Sequence, residues 1–163
     1  MLKKSAEDGY IPLGQYADHH RTVRRKNMSQ TNDVSPQTLA ALAAAQLSKT
    51  YSPYSHYPVG AALQTASGKI YTGINIENAA YPVTICAERV AIFKAVSEGE
   101  KEFAAIAVAT ENGGTPCGSC RQVMAEFGTD TKVYITNKNA EIIQETTVAD
   151  LLPGAFLPEK LEG

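Results

Sequence analysis

The run FAAIAVAT, residues 103–110, constrains the fold more than any other stretch of this chain. It is short, apolar and rich in small and β-branched residues, the pattern of a strand covered on both faces. A strand of that kind needs helices packed above and below its sheet. A helix pattern from about Pro116 to Gly128 follows it directly.

The flanking segments supply the other elements. Ser35 can cap a helix with Pro36 at its first position, and Leu39, Leu42, Ala43, Gln46 and Leu47 give that helix one mostly apolar side before Pro53. VGAALQTA and KIYTGINIE, separated by Ser67 and Gly68, predict a β-hairpin. A second helix is expected from Thr84, which can cap it, to Gly99, which can end it. KVYITN and EIIQETT predict two more strands around a turn at Asn137 to Asn139, and Thr147 with Asp150 forms a capping box for a short last helix before Pro153. The order is α-β-β-α-β-α-β-β-α, without internal repeat or domain linker. The expected fold class is α/β, a three-layer α-β-α sandwich with a mixed sheet of about five strands.

With 163 residues, 44% of them hydrophobic, one domain can fill a real core. The charge is uneven: residues 1–27 hold six Lys/Arg against three Asp/Glu, so the remainder carries −5 of the net −2. Residues 1–33 therefore read as a basic, loosely ordered N-terminal arm, and residues 34–163 as the folded domain. The RTVRRK run is read as a solvated tail rather than a nucleic-acid contact, and Met28 is an alternative start. Three cysteines are an odd number, and neither a secretory leader nor a bilayer-spanning run is evident, so the expectation is a cytoplasmic protein with reduced thiols.

Those cysteines occupy particular places. Cys117 and Cys120 are three apart, which on a helical turn puts both sulfurs on one side, and Cys86 lies near the start of the other helix. Helix N-termini favour thiolates, because unpaired N–H groups and the macrodipole stabilise negative charge. If the two helix starts face each other, three thiolates converge, and zinc is the ion whose softness and tetrahedral preference suit them. The fourth position distinguishes a structural site from a catalytic one. His19 and His20 lie in the arm, so only His56 could close a Cys₃His site. Glu88 argues for an open one, since a first-turn carboxylate can take a proton from water at the metal. Taken alone, Glu88 would merely complement the helix dipole. Arg89 can donate to a cysteine sulfur and so offset the net −1 of a zinc with three thiolates, or form a surface salt bridge.

CAE at 86–88 and PCGSC at 116–120 resemble the zinc-dependent nucleobase deaminase signature. SPYSHYPVGAAL, GINIENAAY, CAERVAIFKAVSEG, PCGSCRQVM and LLPGAF extend the likeness, from about Ser35 to Phe156, to the small homotetrameric cytidine deaminases. This resemblance implies one zinc per subunit held by Cys86, Cys117 and Cys120, with Glu88 carrying protons. The reaction it implies is hydrolytic deamination of cytidine and deoxycytidine in pyrimidine salvage. Cys86 stands where editing enzymes and nucleotide deaminases typically carry histidine, which favours free nucleosides as substrates.

Substrate contacts implied by the resemblance are Asn75, Glu77, Tyr57, Ala87, Tyr81 and Phe156. In a strand, Asn75 and Glu77 would share a face and offer an amide and a carboxylate to ribose, with the carboxylate repelling a 5′-phosphate; alone, they read as strand-end polarity. Tyr57 replaces the family's usual phenylalanine, so its hydroxyl needs a partner if buried. Tyr81 and Phe156 match positions that reach a neighbouring subunit's site in the family, although ordinary interface or core aromatics would fit the sequence too. A disulfide-exchange CxxC leaves Cys86 and Glu88 without a role. Deamination of a cytosine-nucleoside antibiotic such as blasticidin S shares the zinc pattern, and the NIEN block weighs against it. No membrane partner is expected.

Overall fold

The computed structural model describes residues 34–161; the basic arm, the alternative start at Met28, His19 and His20 lie outside the described residues. Five strands form one sheet in the order β2-β1-β3-β4-β5: β1 is Gly60–Thr65, β2 Ile70–Ile74, β3 Phe103–Ala109, β4 Lys132–Thr136 and β5 Ile142–Thr147. The β3–β4 pair is parallel and the other three are antiparallel, so the sheet is mixed as expected. The helices are α1 (Pro36–Ala44), α2 (Ala87–Ser97), α3 (Gly118–Phe127) and α4 (Val148–Leu151).

The central strand is buried on both faces, and its two faces differ. Ala105, Ala107 and Ala109 pack with Ala62 and Tyr134 against Leu39 and Ala43 of α1. Ile106 and Val108 point the other way, into a core with Leu63, Ile92, Met124, Val133 and Ile135 that includes residues of α2 and α3. Small residues on one face let α1 lie close, while branched ones fill the deeper layer. The β3–α3–β4 crossover supplies the parallel pair.

Several boundaries differ from the sequence expectation. Ser35 does cap α1, accepting from Thr38 N–H at 3.1 Å, but the helix stops at Ala44, tightens and gives way to a 3₁₀ turn at Leu47–Lys49. The reason is close packing: a Cβ at Gly60 would stand 2.2 Å from the Ala43 carbonyl oxygen, so β1 runs hard against the last turn. The second helix begins not at Thr84 but after Cys86, its N-cap; Thr84 ends a 3₁₀ turn at Tyr81–Val83 and accepts from Asn78 N–H. β2 ends at Ile74, so Asn75 and Glu77 lie beyond the strand, in a segment where Ile76 bridges singly to Tyr51 and Ile85. Pro116 precedes α3 rather than opening it, and Cys117 is the N-cap. The Thr147–Asp150 capping box is present as predicted. Among the described residues no helix is long and apolar enough to cross a membrane.

Candidate functional site

Cys86 and Cys117 cap α2 and α3 with extended backbone, and neither side chain accepts a bond from a first-turn main-chain N–H of its helix. A capping side chain is ordinarily committed to the first-turn N–H groups; these two sulfurs are turned to one another instead. The Cys86 and Cys117 sulfurs are 3.9 Å apart, those of Cys117 and Cys120 are 3.5 Å apart, and all three lie within 4.8 Å. A tetrahedral zinc with Zn–S bonds of about 2.3 Å sets sulfur–sulfur edges of about 3.8 Å, so the three cysteines fit one face of such a tetrahedron. All three thiols are free.

Electrostatics make the same demand. A proton shared from Cys120, then the Arg89 guanidinium 3.6 Å from the Cys86 sulfur, draws the Cys86 thiol down to about 5 against the opposing effect of burial. That shared proton, together with burial, pushes Cys120 far up. The pocket accommodates one thiolate readily and resists another beside it, which is the donor set that a dication completes.

Glu88, the second residue of α2, is only 2% exposed, and its Oε2 has no hydrogen-bond partner. Burial, reinforced by the neighbouring Cys86 charge, pushes its carboxyl up to about 7. Near neutral pH its carboxyl can therefore take up or give up a proton, and one of its oxygens is free. Arg89 Nη2 donates to the Thr84 carbonyl at 3.3 Å and to Cys86 sulfur, the contact expected from sequence. His56 takes no part: it is exposed, has φ 52°, and is not among the three residues whose donor atoms converge.

Asn75 and Glu77 hold the 54–59 loop. Asn75 is buried, accepts from Val59 N–H and donates to the Tyr57 carbonyl, both at 2.9 Å. Glu77 Oε2 accepts from the N–H groups of Tyr54 and Ser55, and Oε1 accepts from the Ser55 hydroxyl, which is foremost in lowering the Glu77 pKa. Tyr57 is 40% exposed, and its hydroxyl donates to Asn112 Oδ1 at 3.2 Å. The bare Gly114 leaves room for that hydroxyl, since a Cβ there would approach it to 2.5 Å. Ala87 is fully buried. Tyr81 and Phe156 are exposed by 70% and 57%, the former edge-on to Tyr54. Sequence reasoning missed Ser55, Asn112, Arg121 and Gln122; the Arg-Gln pair directly after the CxxC, just past a helix's first turn, was the available signal.

Three convergent thiols on two helix starts, with a buried carboxylate beside them, define a zinc-hydrolase type of centre set in an α-β-α sandwich. Residues 34–136 match the family model described as "Cytidine and deoxycytidylate deaminase zinc-binding region". The chain is 56% identical over 116 residues to a cytidine deaminase of Sporosarcina psychrophila, covering 69% of this chain and 85% of that one. It is 50% identical over 123 residues to a probable cytidine deaminase of Dictyostelium discoideum, covering 72% and 82%. A crystal structure of cytidine deaminase from Burkholderia pseudomallei superposes with a TM-score of 0.72 at 45% identity, over 76% of this chain and 100% of that one. The chain belongs to the cytidine and deoxycytidylate deaminase family, and zinc is the metal for which its cysteine cluster is suited.

Proposed function

We propose that this protein converts cytidine and deoxycytidine to uridine and deoxyuridine with release of ammonia, as a cytoplasmic enzyme of pyrimidine salvage. The observation that carries the reading is Glu88: a buried carboxyl with one unpartnered oxygen beside three sulfurs spaced as a tetrahedral face. Residues 34–163 are its catalytic domain.

Cys86, Cys117 and Cys120 would hold zinc, which when bound supplies Lewis-acid activation of the attacking water. Glu88 accepts the proton of that water and delivers protons to the pyrimidine ring nitrogen and the departing amine. A C–O bond forms at C4, the C–N bond breaks, and water and nucleoside give uridine and ammonia in balance. Arg89 offsets the excess negative charge of three thiolates through Cys86. Ala87, the first residue of α2, offers one of the unpaired main-chain N–H groups of a helix start to the base. Tyr57 lines the base, Asn75 and Glu77 meet the sugar, and Tyr81 with Phe156 complete a neighbouring subunit's site in a homotetramer. Their exposure supports that role for the last two, because aromatics so uncovered are suited to an interface.

Ammonia release from cytidine, measured for wild type and Glu88→Gln, tests the proposal. Wild type is expected to turn over, while the variant keeps its zinc and loses at least about 100-fold in kcat. Inert wild-type protein carrying a full zinc equivalent would overturn it. Light scattering that showed a fully active monomer would rule out shared sites.

A further inference from the structure

We infer that Arg121 and Gln122 are positioning residues that lock the metal-ligand helix start to the C-terminal segment 151–156, so that placement of that segment governs how firmly the three cysteines hold zinc. The inference rests on the zinc-binding reading but not on the identity of the substrate.

Both residues follow Cys120 directly, in the opening turns of α3. Arg121 spends its guanidinium on three separate acceptors: Nε donates to the Pro116 carbonyl at 2.7 Å, Nη2 to the Thr115 hydroxyl at 3.0 Å, and Nη1 to the Leu151 carbonyl at 2.8 Å. Two of these fix the residues that lead into Cys117. The third caps the end of α4, whose last carbonyls lack helical partners. Gln122 continues the clamp, donating to the Phe156 carbonyl at 2.6 Å and accepting from the Phe156 N–H at 3.3 Å.

The geometry makes the coupling specific. Cys117 is an N-cap: its carbonyl accepts from Arg121 N–H at 3.0 Å, but its side chain makes no capping bond, so the approach of its sulfur depends on the loop before it. Arg121 is the only side chain for which hydrogen bonds to both residues 115 and 116 are found among the described residues. A guanidinium can serve three acceptors in fixed directions, whereas an ammonium is a compact charge that cannot span them. Loosening the 115–117 loop would open the 3.5 Å and 3.9 Å sulfur spacings without touching any sulfur. Loosening Leu151 would act through the same guanidinium, and loosening Phe156 through the Gln122 amide beside it.

The test is zinc release from the full-length holoprotein to an excess of chromogenic chelator, for wild type, Arg121→Lys, Arg121→Ala and Gln122→Ala. Each cobalt-substituted form is compared by its thiolate-to-cobalt charge-transfer band. Removal of supporting contacts around metal ligands typically costs 10–100-fold in affinity. Accordingly, Arg121→Lys is expected to release zinc about tenfold faster and to shift or weaken the cobalt band, with circular dichroism showing a folded chain. Gln122→Ala should move both readouts in the same direction by a smaller factor. If Arg121→Ala does not fold, the lysine and Gln122 variants decide the matter. Folded Arg121→Lys that melts lower yet releases zinc within twofold of wild type, with an unchanged cobalt spectrum, would overturn the inference, whether or not the protein deaminates cytidine.

Discussion

Gly73 lies in β2 opposite Ala61, where the strand meets the start of α2. A Cβ placed there would stand 2.1 Å from the Ala87 carbonyl oxygen and 2.7 Å from the Ala91 nitrogen. Both are backbone atoms, so no side chain can swing aside. Relief to an ordinary contact of about 3.4 Å requires strand and helix to separate by about 1.3 Å. Ala87 is bonded on one side to Cys86 of the thiol cluster and on the other to Glu88. A 1.3 Å shift is a third of the 3.9 Å sulfur separation, so the triangle of thiols cannot absorb it. Overpacking of this kind costs about 1–3 kcal/mol of stability, but misplacement of about 1 Å can cost 100-fold in rate. Gly73→Ala is therefore expected to remain folded at 25 °C, to lose zinc readily, and to release ammonia from cytidine at least about 100-fold more slowly. Gly118→Ala is the control: nothing lies within 4 Å of its Cβ, and alanine in a helix is favoured over glycine by up to about 1 kcal/mol. Denaturant melts, zinc stoichiometry and ammonia release on both variants decide it. A Gly73→Ala protein with a full zinc equivalent and wild-type turnover would refute the reasoning.

Tyr57→Phe removes the hydrogen bond to Asn112 at an exposed position, so a loss of no more than about 1 kcal/mol is expected, read as less than a tenfold rise in KM with kcat nearly unchanged. A larger effect confined to kcat would contradict a wall-forming role. Glu77 should tie the 54–57 loop in a pH-dependent way. Its pKa is lowered in the folded state by the Ser55 hydroxyl above all, so its contribution is complete above the unfolded value of about 4.3 and disappears as pH falls through the lower folded value. Amide exchange at Tyr54 and Ser55 should accelerate over that acid range in wild type, and Glu77→Gln should be fast throughout; a flat wild-type profile would contradict the assignment.

The architecture was legible because each element carried its own punctuation. Pro36 after Ser35, Gly68 in the hairpin, Gly99 after α2 and the Thr147–Asp150 box are local signals, and local chemistry fixes them. What sequence could not show was set by contact between distant segments. α1 stops at Ala44 because β1 presses on it at Gly60, and β2 stops at Ile74 because the next residues serve the 54–59 loop. The cysteine cluster was legible from spacing, since Cys117 and Cys120 must share a side of a helical turn. Arg121 was not, because its three acceptors lie up to thirty residues away in sequence.

Asn75 and Glu77 are where the sequence reading needs the most revision, and the revision bears on how a sugar would be held. A strand face would have left both side chains free. Instead, each is already committed to the loop that carries Tyr57. An ionised carboxylate offers about four acceptor positions, and Glu77 uses two on Oε2 and one on Oε1. One position remains, on the oxygen that Ser55 also touches. A sugar hydroxyl that takes this position therefore meets a carboxylate whose orientation the loop has set beforehand. It needs no side-chain reordering on arrival, and the same three bonds that fix the acceptor hold the loop bearing Tyr57 in place.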